Sequence, residues 1–114
     1  MNIENNKAQM RKGVLEFCIL SILSDGEHYP TEIIERMKEG RLLIVEGTLY
    51  PLLTRLKNEG LLSYRWVESQ SGPPRKYFTL TEQGHTFLKE LLEGWKELTE
   101  SVNHIIQQSN KTNQ

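Results

Sequence analysis

The chain has 114 residues, 37% of them apolar and 25% charged, with one cysteine. That is the composition of one ordinary globular domain, long enough to bury on the order of 65% of the surface its unfolded chain exposes, and no second, catalytic domain is expected beside it. Lys plus Arg number 14 and Asp plus Glu 15, a net charge of −1, which excludes a generally basic nucleic-acid coat protein but not a DNA binder with a local basic face.

The lone Cys18 excludes an internal disulfide framework and a cysteine-rich zinc site, and it suits a reducing compartment. The apolar stretch 14–23 is interrupted by Glu16 and followed by Asp25-Gly26-Glu27, which is not a signal-peptide pattern. No run of about 18 apolar residues suggests a membrane span. A cytoplasmic location with no membrane partner is expected.

Residues 1–7 and 108–114 are polar and unpatterned, and read as disordered tails. Residues 8–23 read as a first helix, with Leu15, Cys18, Ile19 and Ile22 at helical spacing and Phe17, Leu20 and Leu23 widening the apolar surface. Ser24-Asp25-Gly26 stops it. A second helix is expected over 30–38, opened by Pro30 and striped by Ile33, Ile34 and Met37. A third begins near Gly47 or Thr48, with Thr48 as its cap and Pro51 in its first turn; Leu49, Leu52, Leu53 and Leu56 form its inward face, and Gly60 closes it.

The period then changes to two. Leu62, Tyr64 and Trp66 alternate with Ser63, Arg65 and Val67, and 75–80 alternates again, so a hairpin with a six-residue tip over 69–74 is expected. Thr81 can cap a final helix to about Gln107. In it Leu88, Leu91, Trp95, Leu98, Val102 and Ile105 are spaced 3, 4, 3, 4, 3, a coiled-coil-like seam. The fold class is therefore mainly α: a winged helix-turn-helix over 8–80, with three helices and a two-stranded β-wing, and a long dimerisation helix over 81–107.

The outward arc of the third helix carries Gly47, Tyr50, Pro51, Thr54, Arg55 and Asn58, with Lys57 at its edge, Thr48 and Tyr50 at the N-terminal end and no acidic residue between Gly47 and Asn58. Such a helix can enter the major groove, where threonine meets base edges or the thymine methyl and arginine pairs with guanine, while tyrosine bonds a phosphate. The same residues also suit a plain solvated face. Arg75 and Lys76 on the hairpin, and Arg11 and Lys12 in the first helix, are further candidate phosphate contacts.

The string Gly47-Thr48-Leu49-Tyr50-Pro51-Leu52-Leu53-Thr54-Arg55-Leu56, then Gly60-Leu61-Leu62, resembles the recognition-helix signature of PadR-type transcriptional regulators. Gly72-Pro73-Pro74-Arg75-Lys76-Tyr77-Phe78 with Leu80-Thr81-Glu82-Gln83-Gly84 resembles that family's wing and helix junction, and Lys12-Gly13-Val14-Leu15-Glu16 its first-helix opening. The resemblance spans roughly 9–106. It departs where the family often has Tyr-Gly-Tyr-Glu-Ile and this chain has Tyr29-Pro30-Thr31-Glu32-Ile33, which leaves Tyr29 as a packing residue. The resemblance implies a homodimeric repressor on double-stranded DNA, in a short form with one C-terminal helix, in which a flat aromatic ligand can bind near the dimer interface.

A seam of six large apolar residues left in water would cost much of a net stability of about 5–15 kcal/mol. A symmetric partner covering Leu88, Leu91, Trp95, Leu98, Val102 and Ile105 is therefore expected. Trp95 either packs against its symmetry mate or, with Phe17 and Leu91, walls an effector pocket.

No enzyme is expected. His28, His85 and His104 lack zinc spacing, no nucleophile has a base beside it, and the glycines mark turns rather than a phosphate loop. No cofactor or metal is expected. The alternative is a winged-helix module that binds protein rather than DNA.

Overall fold

The computed structural model describes residues 2–112. In chain order the elements are α1 (Ile3–Lys12), α2 (Leu15–Leu23), α3 (Pro30–Glu39), α4 (Glu46–Asn58), β1 (Leu62–Ser69), β2 (Gly72–Leu80) and α5 (Glu82–Thr112). Among the described residues no helix is long and apolar enough to cross a membrane.

The core is one cluster fed by every element except α1. Ile19, Leu20 and Leu23 of α2 meet Ile33 and Met37 of α3, Leu49, Leu53 and Leu56 of α4, and Leu62, Phe78 and Leu80 of the hairpin. The inward leucine face of α4 is as its spacing predicts, with Leu52 only partly buried. Pro30 opens α3, and the Tyr29 N–H donates to the Glu32 carboxylate at 3.2 Å, tying down the first turn.

The expected single helix over 8–23 is two helices. The ladder tightens at Gly13 and Val14, where the Val14 N–H bonds the Arg11 carbonyl at 2.9 Å, three residues back. Residues 3–7, expected to be disordered, are the start of α1. The Asn2 side chain accepts from the Glu4 and Asn5 N–H groups at 2.9 and 3.3 Å, while Glu4 at one end and Arg11 and Lys12 at the other match the helix dipole. The C-terminal expectation also shifts: α5 continues through 108–112. Residues 1, 113 and 114 lie outside the described residues.

α4 begins one or two residues earlier than expected, at Glu46 after Val45, so Thr48 is inside the helix rather than at its cap and Pro51 lies past the first turn. The wing is longer than expected. Its strands pair from Leu62↔Leu80 out to Ser69↔Gly72, with a bulge after Val67, so the tip is Gln70 and Ser71 rather than six residues. Pro73 and Pro74 fit inside β2 because they lie in the irregular stretch between the Val67↔Arg75 and Ser69↔Gly72 pairs, where the register gives neither a partner.

The wing is bound to the α2–α3 loop. His28 and Phe78 exchange backbone bonds of 3.0 and 2.8 Å, the Arg65 Nε and Nη2 groups donate to the two Glu27 carboxylate oxygens at 2.6 and 2.7 Å, and Tyr29 meets Tyr77 edge-on at 5.2 Å. Thr81 closes the start of α5 as expected: its hydroxyl accepts from the Gly84 N–H at 3.0 Å and donates to the Gly60 carbonyl at 2.7 Å.

Candidate nucleic-acid interface and apolar seam

α4 turns Leu49, Leu53 and Leu56 into the core, and this forces Thr48, Tyr50, Thr54 and Arg55 outward; all four are exposed. Tyr50, Pro51, Thr54, Arg55, Asn58 and Glu59 surround an open hollow on this side. Lys57 follows at the edge of the arc.

The hairpin brings its own cations to this helix. Tyr64 of β1 lies beneath two lysines from different elements: Lys57 Nζ is 5.5 Å from its ring centre and Lys76 Nζ 4.4 Å. Lys76 also lies 5.3 Å from the Trp66 ring. One aromatic platform thus joins α4 to the wing and holds two ammonium groups against its faces. Among the described residues neither lysine forms an ion pair. Arg75, on the opposite wing face, stacks over Tyr29 at 4.4 Å, so Tyr29 packs, as its place in the sequence suggests.

Two expected contacts are placed differently. Arg55 shares the exposed side of α4, but its guanidinium is an ion partner of Glu16 from α2 and lies 3.7 Å from Glu59. Arg11 lines a groove with Met10, Gly13, Trp95, Leu98 and Val102; α1 carries it to α5 rather than to the α4–wing surface, because the break at Gly13 separates α1 from α2. Lys12 is exposed at the end of α1. Sequence reasoning passed over Glu16, Tyr64 and Trp66 as parts of this surface. The alternation of 62–67 puts Tyr64 and Trp66 on one wing face and could have pointed to them; nothing local links Glu16 to Arg55.

α5 divides along its length. Leu88 is buried in the core of its own chain and Leu91 packs partly against that core. Leu88 is therefore corrected from a dimer residue to a core residue, because the first turns of α5 lie against the hairpin and α2. Beyond them the stripe is open, from 43% exposure at Trp95 to 63% at Ile105, with Leu92, Leu98, Val102 and Ile106 between. α1 buries none of its residues, and Ile3 and Met10 are exposed on it.

Trp95 meets Phe17 edge-to-face at 5.9 Å. Both line a largely apolar cavity of about 490 Å³ with Val14, Cys18, Ile22 and Met37; Leu91, expected beside them, is not in its wall. Burial pushes the Cys18 thiol pKa up, which keeps it protonated and unreactive.

Residues 19–90 match the transcriptional regulator PadR-like family. The chain belongs to that family. It is 62% identical to a PadR-like transcription factor from Bacteroides fragilis, whose structure superposes with a TM-score of 0.75 over 89% of this chain and 98% of that one. A PadR-family regulator from Eggerthella lenta is 30% identical with a TM-score of 0.84, covering 91% of each chain. PadR of Bacillus subtilis, solved in complex with operator DNA, is 30% identical with a TM-score of 0.65 over 69% of this chain and 46% of that one. The five helices and two-stranded sheet of the described residues are thus a PadR-like winged helix with a long C-terminal helix, and the chain is a transcriptional regulator by family.

Proposed function

We propose that this regulator is a homodimeric repressor that binds operator DNA through α4 and the wing. The observation that carries the reading is the Tyr64 platform, which joins Lys57 of α4 to Lys76 of the wing beside the exposed Thr48, Tyr50 and Thr54. In this reading Thr48 and Thr54 meet base edges, Tyr50 bonds backbone oxygens, and Lys57, Lys76, Arg75 and Lys12 neutralise phosphates. The relative from Bacillus subtilis, crystallised on its operator, supports it.

The dimer follows from the open stripe of α5. Leu92, Trp95, Leu98, Val102, Ile105 and Ile106 are large and exposed in the single chain, and Ile3 and Met10 of α1 are exposed as well. Pairing with a second copy buries both, and two recognition helices about 34 Å apart then read a palindrome. The Trp95–Phe17 cavity suits a planar apolar effector. Phe17 is in its wall and Glu16, the preceding residue, meets α4, so a ligand that displaces α2 also acts on the recognition helix. A coupling of about 1–3 kcal/mol would change operator affinity roughly 5- to 150-fold.

Fluorescence anisotropy of labelled DNA from upstream of the chain's own gene, titrated at two salt concentrations, tests the reading. The expected result is binding that exceeds a scrambled duplex and weakens steeply with salt. Absence of binding to any DNA at low salt would replace it with the protein-interaction module.

A further inference from the structure

We propose that Arg55 does not read DNA but pins the recognition helix to α2 through Glu16, which makes Glu16 a positioning residue for operator discrimination. This rests on the DNA-binding reading above and changes the role of one residue in it. Arg55 stands between two carboxylates, Glu16 from α2 and Glu59 one turn further along α4. The three side chains together carry a net negative charge. A guanidinium so neutralised presents little net positive charge to a phosphate, whereas Lys57 and Lys76 rest on aromatic faces and form no ion pair among the described residues.

The arrangement on the Glu16 side points the same way. Glu16 Oε1 is closed off from solvent, makes no hydrogen bond elsewhere and faces the Arg55 guanidinium as its ion partner. Pulling Arg55 into the groove would take from that oxygen its ion partner, a loss of the size of a partly exposed ion pair that opposes the move. Held in place, the pair fixes the roll of α4 about its leucine face: Leu49, Leu53 and Leu56 anchor one side, and Glu16 restrains a side chain on the other. That roll sets where Thr48, Tyr50 and Thr54 point. Arg55 so acts on base reading through orientation, and Glu16 acts through Arg55.

The test is a set of five full-length proteins: wild type, Glu16→Gln, Arg55→Gln, the double variant with both of these substitutions, and the exchange Glu16→Arg with Arg55→Glu. Each is titrated by anisotropy against the upstream duplex and its scrambled version at several salt concentrations, and each is unfolded in urea. Both single variants are expected to lower the preference for the upstream duplex about tenfold. Their salt slopes stay at the wild-type value, because no phosphate contact is lost. The exchange is expected to restore most of the preference. Unfolding constants should couple by roughly twofold to fivefold, as exposed ion pairs do. The proposal is overturned if Arg55→Gln reduces the salt slope by about one phosphate contact while Glu16→Gln leaves or raises affinity, or if the unfolding effects simply add. Wild type that binds no DNA at any salt would overturn the DNA reading instead, and the urea coupling would still decide whether the pin exists.

Discussion

Two glycines in α5 make opposite predictions. A Cβ built on Gly84 would lie 2.1 Å from the Leu61 carbonyl oxygen, which is backbone and cannot step aside. Gly84→Ala should therefore cost about 1–3 kcal/mol, as overpacking does. Gly94 meets nothing within 4 Å, and Gly94→Ala should stabilise by up to about 1 kcal/mol through helix propensity. Urea denaturation of the two variants gives both signs in one experiment. The carboxylates of the α2–α3 loop set a second prediction. Asp25 is held below its ordinary pKa by hydrogen bonding to His28 and then Arg36, and Glu27 by hydrogen bonding to Arg65. Both contribute stability above their ordinary values and lose it as the pH falls towards the lowered ones. Amide exchange in β1 and β2 should therefore quicken as the pH falls below the ordinary carboxylate range, after correction for intrinsic rates, and quicken less in Glu27→Gln. At this scale the sequence was readable where a residue acts on near neighbours, as with the Thr81 cap. It was not readable where a pair is built by the fold. Glu16 and Arg55 are 39 positions apart, and an acid-free stretch on α4 says nothing of an acid supplied by α2.

Elements were legible in proportion to their periodicity. The leucine face of α4, the stripe of α3 and the alternation of the wing all predict what the structure contains, because in each the core selects one face. The errors fall where backbone effects decide. Gly13 divides the expected first helix, a choice the apolar spacing of α2 does not record. α1 was missed because it buries nothing and so has no pattern, yet Asn2 and Glu4 are a readable start signal. The wing tip was overestimated because Gly72-Pro73-Pro74 looks like a turn but tolerates an edge strand. Where the wing meets α4, Tyr64→Leu removes the ring under Lys57 and Lys76. At about 0.5–1 kcal/mol for such a contact, affinity for the upstream duplex should fall roughly twofold to fivefold, measured by anisotropy. An unchanged affinity would show that the platform does not organise the lysines.

The whole chain is an elongated body 63 Å along its greatest extent, because most of α5 projects beyond the winged helix. Its exposed stripe carries six large apolar residues between Leu92 and Ile106. The heptad spacing made the stripe legible, but not where the core ends and the free seam begins, since Leu88 and Val102 occupy equivalent seam positions and only packing separates buried from open. If the stripe joins two copies, Leu98→Asp with Val102→Asp should convert a dimer to a monomer in sedimentation velocity at micromolar concentration. The winged helix should keep its fold, because neither residue belongs to the core. A wild-type monomer would contradict the dimer.

Hydroxyl-radical footprinting on the upstream duplex joins these scales in one measurement. A dimer with two α4 helices and two wings predicts two protected patches related by a dyad, with centres about 34 Å apart or a whole number of turns more. Protection should vanish in the Leu98→Asp, Val102→Asp variant at the same protein concentration. A single asymmetric patch, or the same footprint from the monomeric variant, would contradict the account.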